Sequence, residues 1–251
     1  MHSTLMVGKS CLERMLTTTI RGFTANASRN GSQRSHREVT HQMAKSTFIA
    51  KILSVQPRIR FTRSFDESSH TYLGYALFLH GTIGDEEREF SIGVGKAAHE
   101  KYQFRVGDEI SGACEPVADE RLEPVEFYKV SQLKKLQEAT ASNTGPPPWE
   151  DICPDLETYR QRGHRRLAAR TYSAKCATCM WGCRMPVEII IDHWDRYGKR
   201  KYRFETFCYG PLNCKLYKAG PNRKVEGRNG MVWVEEDWVD EQNVEHREAG
   251  E

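Results

Sequence analysis

The sequence predicts a mainly β protein in two parts: a five-stranded barrel over residues 46–137, then a small α+β domain rich in cysteine over residues 149–251. Three observations carry this. The first part alternates apolar and polar residues in runs of strand length, with one change of period at Lys96. Five of the chain's 8 cysteines fall between Tyr172 and Gly220. Between the two parts, residues 138–148 read EATASNTGPPP, a linker stiffened by Pro146-Pro147-Pro148.

Residues 1–45 are rich in Ser, Thr, Asn and Arg and show little periodicity, which predicts a disordered tail. Their Arg- and Ser-rich, acid-poor composition also fits a transit peptide, and Met43, just ahead of the first strand, fits a native start with the upstream stretch untranslated. Strands follow over 47–55 and, after Gln56-Pro57, 58–63; over 72–83, with Gly74 as a bulge; and over 89–94. Residues 96–104 take a helical period. A fourth strand grows out of 106–112 and a fifth begins over 126–131.

Strand, strand, strand, short helix, strand, strand is the order of the OB-fold, a five-stranded Greek-key barrel, and residues 46–137 resemble that family. The run Phe104-Arg105-Val106-Gly107-Asp108-Glu109-Ile110 resembles its junction between helix and fourth strand. The resemblance implies binding of single strands or oligonucleotides across strands 2 and 3, through stacking aromatics and basic residues. Leu73, Tyr75, Leu77 and Leu79 share the face that fills the barrel, so Tyr72, Phe78 and His80 point outward, while Arg58, Arg60 and Thr62 oppose Ile59 and Phe61. Arg58, Arg60, Tyr72 and Phe78 are therefore expected to contact nucleic acid; packing on the second domain or on a protein partner would use the same side chains. The barrel's 12 Lys/Arg against 14 Asp/Glu do not favour a general backbone-binding groove. The whole chain also resembles an uncharacterised bacterial protein family that pairs such a barrel with a cysteine-rich tail, a resemblance that implies no function. Gly93-Val94-Gly95-Lys96 is not a phosphate loop, since Phe90 stands where that motif needs Gly and Ala97 where it needs Ser or Thr.

The cysteines run C-x2-C-x3-C, then after a long gap C-x5-C: Cys176, Cys179, Cys183, Cys208 and Cys214. Two thiolate clusters on tight turns, joined by a hairpin, are what a tetrahedral zinc site of the zinc-ribbon type requires. The gap supplies the hairpin, with an apolar run over 187–191, a turn over 195–198 and an alternating run over 202–207. Cys176, Cys179, Cys208 and Cys214 are the favoured zinc ligands, with Cys183 as spare or substitute. An iron–sulfur cluster on the first cluster plus Cys208 is the alternative cofactor. Buried inert thiols are the plainer reading, and nothing marks the chain for the export that a disulfide framework needs. Cys153 is expected to lie outside the ligand set.

The formal net charge is only +3, but residues 158–228 carry 17 Lys/Arg against 5 Asp/Glu, between acidic flanks. That asymmetry points to a polyanionic partner, unless the basic residues pair with the flanks. The candidates are Arg165 and Arg166, on a basic helix predicted over 155–169 in which Gly163 is the weak point, and Lys199, Arg200, Lys201 and Arg203 on the hairpin. The acidic tail from Met231 is expected to fold back on the basic block, anchored by Trp233 and Trp238. No constellation of nucleophile, base and orienting acid is visible.

The resulting expectation is a non-enzymatic protein that binds single-stranded DNA or RNA. Two alternatives stand. One is a nuclease of HNH type built on Asp192-His193, which lacks the second half of that motif. The other is a carrier of acyl thioesters or other small molecules, a role filled by proteins with a zinc ribbon ahead of an OB barrel; the order here is reversed. No apolar run of about 18 residues exists, which excludes a transmembrane helix. A cysteine-containing chain without an export signal is expected in a reducing compartment, the cytoplasm.

Overall fold

The computed structural model describes residues 45–139, 145, 147–195, 197–248 and 250. The start site at Met43, the tail expected over 1–45 except Lys45, and most of the linker over 138–148 lie outside them.

β1 (Ser46–Arg63) is the spine of a mainly β structure. Its first half alternates, with Phe48, Ala50 and Ile52 buried and Ile49 exposed. From Ser54 to Pro57 every residue is buried, because here the strand is covered on both faces. The break predicted at Gln56-Pro57 is therefore absent: the strand runs through, with register shifts between Ile52 and Ser54 and between Arg58 and Ile59. The second shift lies opposite Gly74 of β2 (Ser68–Ile83). Gly74 has φ +127°, and a Cβ there would stand 2.1 Å from the Val94 carbonyl oxygen, so the predicted bulge requires glycine.

β3 (Glu86–Val94), α1 (Lys96–Tyr102), β4 (Glu109–Pro116) and β5 (Phe127–Gln137) follow in the predicted order. β1 pairs with β2 and β4, β2 with β3, and β4 with β5, while β3 meets β5 in parallel at Ile92 and Phe127. The order β1–β2–β3–β5–β4–β1 makes a partly closed ring, filled by Ile52, Leu77, Leu79, Ile92, Phe104 and Ile110.

The cysteine-rich stretch extends this sheet. β7 (Gly182–Ile190) runs parallel to the end of β1, pairing Phe61 with Val187 and Arg63 with Ile189. β8 (Arg200–Cys208) lies antiparallel to β7, and β6 (Arg165–Arg166) closes the edge. One apolar cluster continues from Ile59 and Phe61 of the ring into Tyr159, Cys183, Met185, Phe207 and Tyr209, so the stretches on either side of the linker share one sheet and one core.

The helix predicted over 155–169 is shorter. α2 (Leu156–Arg162) starts on Asp155, whose carboxylate accepts from the Thr158 N–H at 2.8 Å, and ends at Gly163. Gly163 has φ +65°, and a Cβ there would stand 2.1 Å from the Asn243 carbonyl oxygen. The chain turns at this point and Arg165-Arg166 become a strand. A short turn of helix, α3 (Ala169–Thr171), leads into Cys176. β9 (Arg223–Glu226) and β10 (Val232–Glu235) form a ribbon, and α4 (Asp237–Val244) ends the fold. Among the described residues no helix is long and apolar enough to cross a membrane.

Candidate metal centre and nucleic-acid interface

Four cysteines meet at one end of the β7–β8 hairpin. Cross-strand register sets Gly182, just after the first cluster, opposite Cys208. Cys176, Cys179, Cys208 and Cys214 then line one cavity of about 10 Å³, walled by Trp149, Trp181 and Tyr217. Each cluster sits on tight turns: Cys179 N–H donates to the Cys176 carbonyl at 3.1 Å, and Cys214 N–H to the Pro211 carbonyl at 3.1 Å. Gln56 of β1 clamps the first turn, its Nε2 donating to the carbonyls of Cys176 and Cys179 at 3.0 and 2.9 Å while its Oε1 accepts from the Tyr172 hydroxyl.

The thiols are tuned by opposing effects. Burial and the neighbouring sulfurs push Cys176 up to about 12. Burial pushes Cys179 up to about 11, while the backbone N–H groups of Trp181 and Trp149 act against it. Cys208 is raised by burial and opposed by the Gly210 N–H, which lies 3.4 Å from its sulfur. Trp181 and Gly210 each follow their cysteine by two residues, so the two turns present sulfur in the same way, with a donor that favours the thiolate. Among the described residues no three His, Cys, Asp or Glu stand in a closed ligating set, so the sulfurs share a cavity without the geometry of a bound ion. Cys183 is placed elsewhere: fully buried in the main core, its sulfur donates to the Pro57 carbonyl at 3.4 Å. Cys153 is buried against the Val55 carbonyl.

The expected nucleic-acid residues fare unevenly. Arg166 is a correction. It is fully buried, and its guanidinium donates to Asp240 at 2.9 Å, Asp237 at 2.6 Å, Asn222 at 3.0 Å and the Glu235 carbonyl at 2.8 Å. The acidic tail folds onto the basic block here, with Trp233 and Trp238 in an edge-to-face pair, 5.9 Å between centroids. Beside it Glu235 and Glu205 share Arg63, and Glu205 also takes Arg203 and Arg223.

Arg58 and Arg60, expected to face a ligand, are both held by Glu123 from the β4–β5 loop, at 3.3 and 2.9 Å. Tyr72 lies under the Arg160 guanidinium, and Phe78 packs with Ala76, Val117 and Val125. Arg165 stacks on Tyr217 and donates to the Pro211 and Leu212 carbonyls. Arg200 pairs with Glu188 and Lys201 with Glu226, on the surface where such pairs contribute little and exchange readily. Among the described residues, Lys199 alone of the ten is exposed without an ion pair. Arg170, Lys175, Lys215 and Lys218 are likewise exposed and unpaired among the described residues, and Lys175 lines the cysteine cavity.

The far end of the hairpin holds a feature the charge count does not show. Trp194 is 84% exposed and Tyr197 is 92% exposed, beside Lys199. The Asp192 and Asp195 carboxylates accept from the backbone N–H groups of Trp194 and Tyr197. Nine residues of β7 separate it from the cysteines, roughly 30 Å of strand.

No family model, curated protein or solved structure matches this chain. Its function rests on these side chains.

Sequence reasoning misses one further grouping, a cleft where His70 of β2 meets His164, with ring centroids 4.9 Å apart. The two lie 94 positions apart in the chain, and the run of pairings from β1 through β7 and β8 to β6 brings them together. Burial, and then the Arg63 charge, lower His70 to about 4, and burial takes His164 well below the usual range, so both imidazoles are neutral at neutral pH.

Proposed function

We propose that the chain is a non-enzymatic single-stranded nucleic-acid-binding protein, with an OB-type barrel joined to a zinc-ribbon-like module. The cyclic strand order with a helix between the third and fourth strands supports the barrel assignment. Four cysteines around one cavity, on two similar turns with N–H donors aimed at sulfur, support a structural zinc. The iron–sulfur alternative needs Cys183 beside Cys176 and Cys179, and Cys183 lies apart in the main core, which favours zinc. Zinc would be held by Cys176, Cys179, Cys208 and Cys214 and would fix the root of the hairpin.

The observation that carries the function is the hairpin tip. Two aromatic rings are left almost wholly in water, next to a lysine that is unpaired among the described residues. Bases stack on such rings whatever their sequence, at about 1–3 kcal/mol each. Lys199 and the other cations of the basic block that are exposed and unpaired among the described residues supply backbone contacts whose strength falls with salt. The barrel's own groove does not favour this role, since Glu123 and Glu126 lie across it.

The test is an electrophoretic shift with single-stranded DNA and RNA at low and moderate salt. The wild type is expected to bind both with little sequence preference. Trp194→Ala with Tyr197→Ala should weaken binding at least about tenfold, without changing the melting temperature. Lys199→Ala should lower the salt slope by about one. A folded wild type that binds neither strand at low salt overturns the reading.

A further inference from the structure

The cleft at His70 and His164 has a volume of about 460 Å³, in the range that holds small molecules. One wall is β2 and the end of β1, where Phe61 and His70 stack with 4.2 Å between centroids. The other is the folded-back tail, with Trp233 half-buried and Trp238 49% exposed. The amides of Gln242 and Asn243 also line it.

Three properties define what fits. The first is a stacking surface, because Trp238 lines the cleft and is about half exposed. The second is an unmet hydrogen bond. His70 lines the cleft, and its buried Nε2 has no hydrogen-bond partner among the described residues; such a nitrogen is costly unless something completes it. A neutral imidazole offers one donor and one acceptor, and the amides offer both. The third is the absence of spare charge. Arg63 is engaged by Glu205 and Glu235, both buried, while Asp66 at the rim is held ionised by the Ser64 hydroxyl. A phosphate would meet no unpaired cation and two exposed carboxylates, Asp66 and Glu67.

We propose that this cleft binds an uncharged planar nitrogen heterocycle, a nucleobase, stacked on Trp238 and hydrogen-bonded by His70. A nucleobase supplies a flat π-face together with an edge of alternating donors and acceptors, and it carries no charge for the cleft to neutralise. The base can come from a free nucleoside or from a strand. The rim at Ser64 and Ser68 is shared with a smaller recess that reaches His193 at the hairpin tip, so a strand stacked on the tip has a route to the cleft. The proposal stands on the cleft alone and holds whether or not the tip binds nucleic acid.

Titration of the full chain with the four ribonucleosides, followed by tryptophan fluorescence and by the imidazole proton resonances, tests it. Nucleosides are expected to quench fluorescence and to shift the His70 resonances, with an affinity insensitive to salt, and their monophosphates should bind no tighter. Trp238→Ala should weaken nucleoside binding about tenfold or more. His70→Phe, which keeps a ring stacked on Phe61 and removes both nitrogens, should do the same. Trp194→Ala with Tyr197→Ala should leave nucleoside binding unchanged while weakening oligonucleotides. No nucleoside binding by the folded wild type, or binding that survives both cleft substitutions, overturns the inference; oligonucleotide binding that persists in that case leaves the hairpin reading standing. Nucleosides bound without oligonucleotides reject the hairpin reading and support the cleft with free nucleosides as its source.

Discussion

Arg166 shows how far one residue's role departs from its local sequence. It sits in a run of arginines, yet it is the bolt between the sheet edge and the tail. Its backbone N–H and Nε both donate to Asp240, and its carbonyl accepts from the Tyr217 hydroxyl at 2.9 Å. Removing Arg166 leaves the buried Asp240 desolvated and unpaired, while Asp237 stays in water, and losing one partner of a buried pair costs about 3–5 kcal/mol. Arg166→Met is therefore expected to lower stability by about that amount in urea unfolding, and α4 should detach first. Lys199→Ala, on an exposed and unpaired side chain, should stay within about 0.5 kcal/mol of wild type. Comparable losses for the two would mean that Arg166 is not the bolt. The basic block thus divides into residues that hold the tail and residues that remain for a ligand, a division set by burial and invisible to a charge count.

At the scale of elements, the β7–β8 hairpin joins two unlike ends, cysteines at its root and aromatics at its tip. The hairpin, its turn and the cysteine pairing were legible from β-branched alternation and Cys spacing. Which cysteine stands apart was not settled by spacing. Cys183 lies on β7 and points into the shared core, because alternation sends successive side chains to opposite faces. Purified protein is expected to carry about one zinc per chain. Cys176→Ser and Cys208→Ser should lose it, and Cys183→Ser should keep it; elemental analysis with an absorbance spectrum reads this out. A brown protein would indicate an iron–sulfur cluster. Structural zinc contributes on the order of 10 kcal/mol to folding. Because β7 hydrogen-bonds to β1 and Gln56 holds the first cysteine turn, loss of the metal should loosen the ring as well as the hairpin.

For the whole molecule, the buried histidines make stability depend on pH in one direction. His70 is lowered from 6.5 to about 4 in the fold, so between these values the unfolded chain binds a proton that the folded chain does not. Stability from this group is complete above pH 6.5 and is lost as pH falls toward 4, by about 3 kcal/mol at 1.36 kcal/mol per unit. His164 and His99, both lowered by burial, act in the same sense. Asp240, raised by burial, acts in the opposite sense. Urea midpoints measured from pH 7.5 to 4 should fall steadily, and His70→Phe should flatten part of the slope. An unchanged slope in that variant would show that His70 does not carry the effect.

By itself the sequence determined the mainly β class, the order of the first five strands with the helix between the third and fourth, the bulge at Gly74 and the hairpin between the cysteine clusters. All of these follow from periodicity, glycine and spacing within a short window. Tertiary structure alone decided that β1 runs unbroken past Pro57, that β7 joins its edge and merges two stretches into one core, that Arg166 is buried rather than displayed, and that His70 and His164 meet across a cleft. Each of these depends on what covers a residue from a distant part of the chain. A local pattern of apolar and charged residues records only that a side chain can be buried or paired, and the partner that does so is set by the fold.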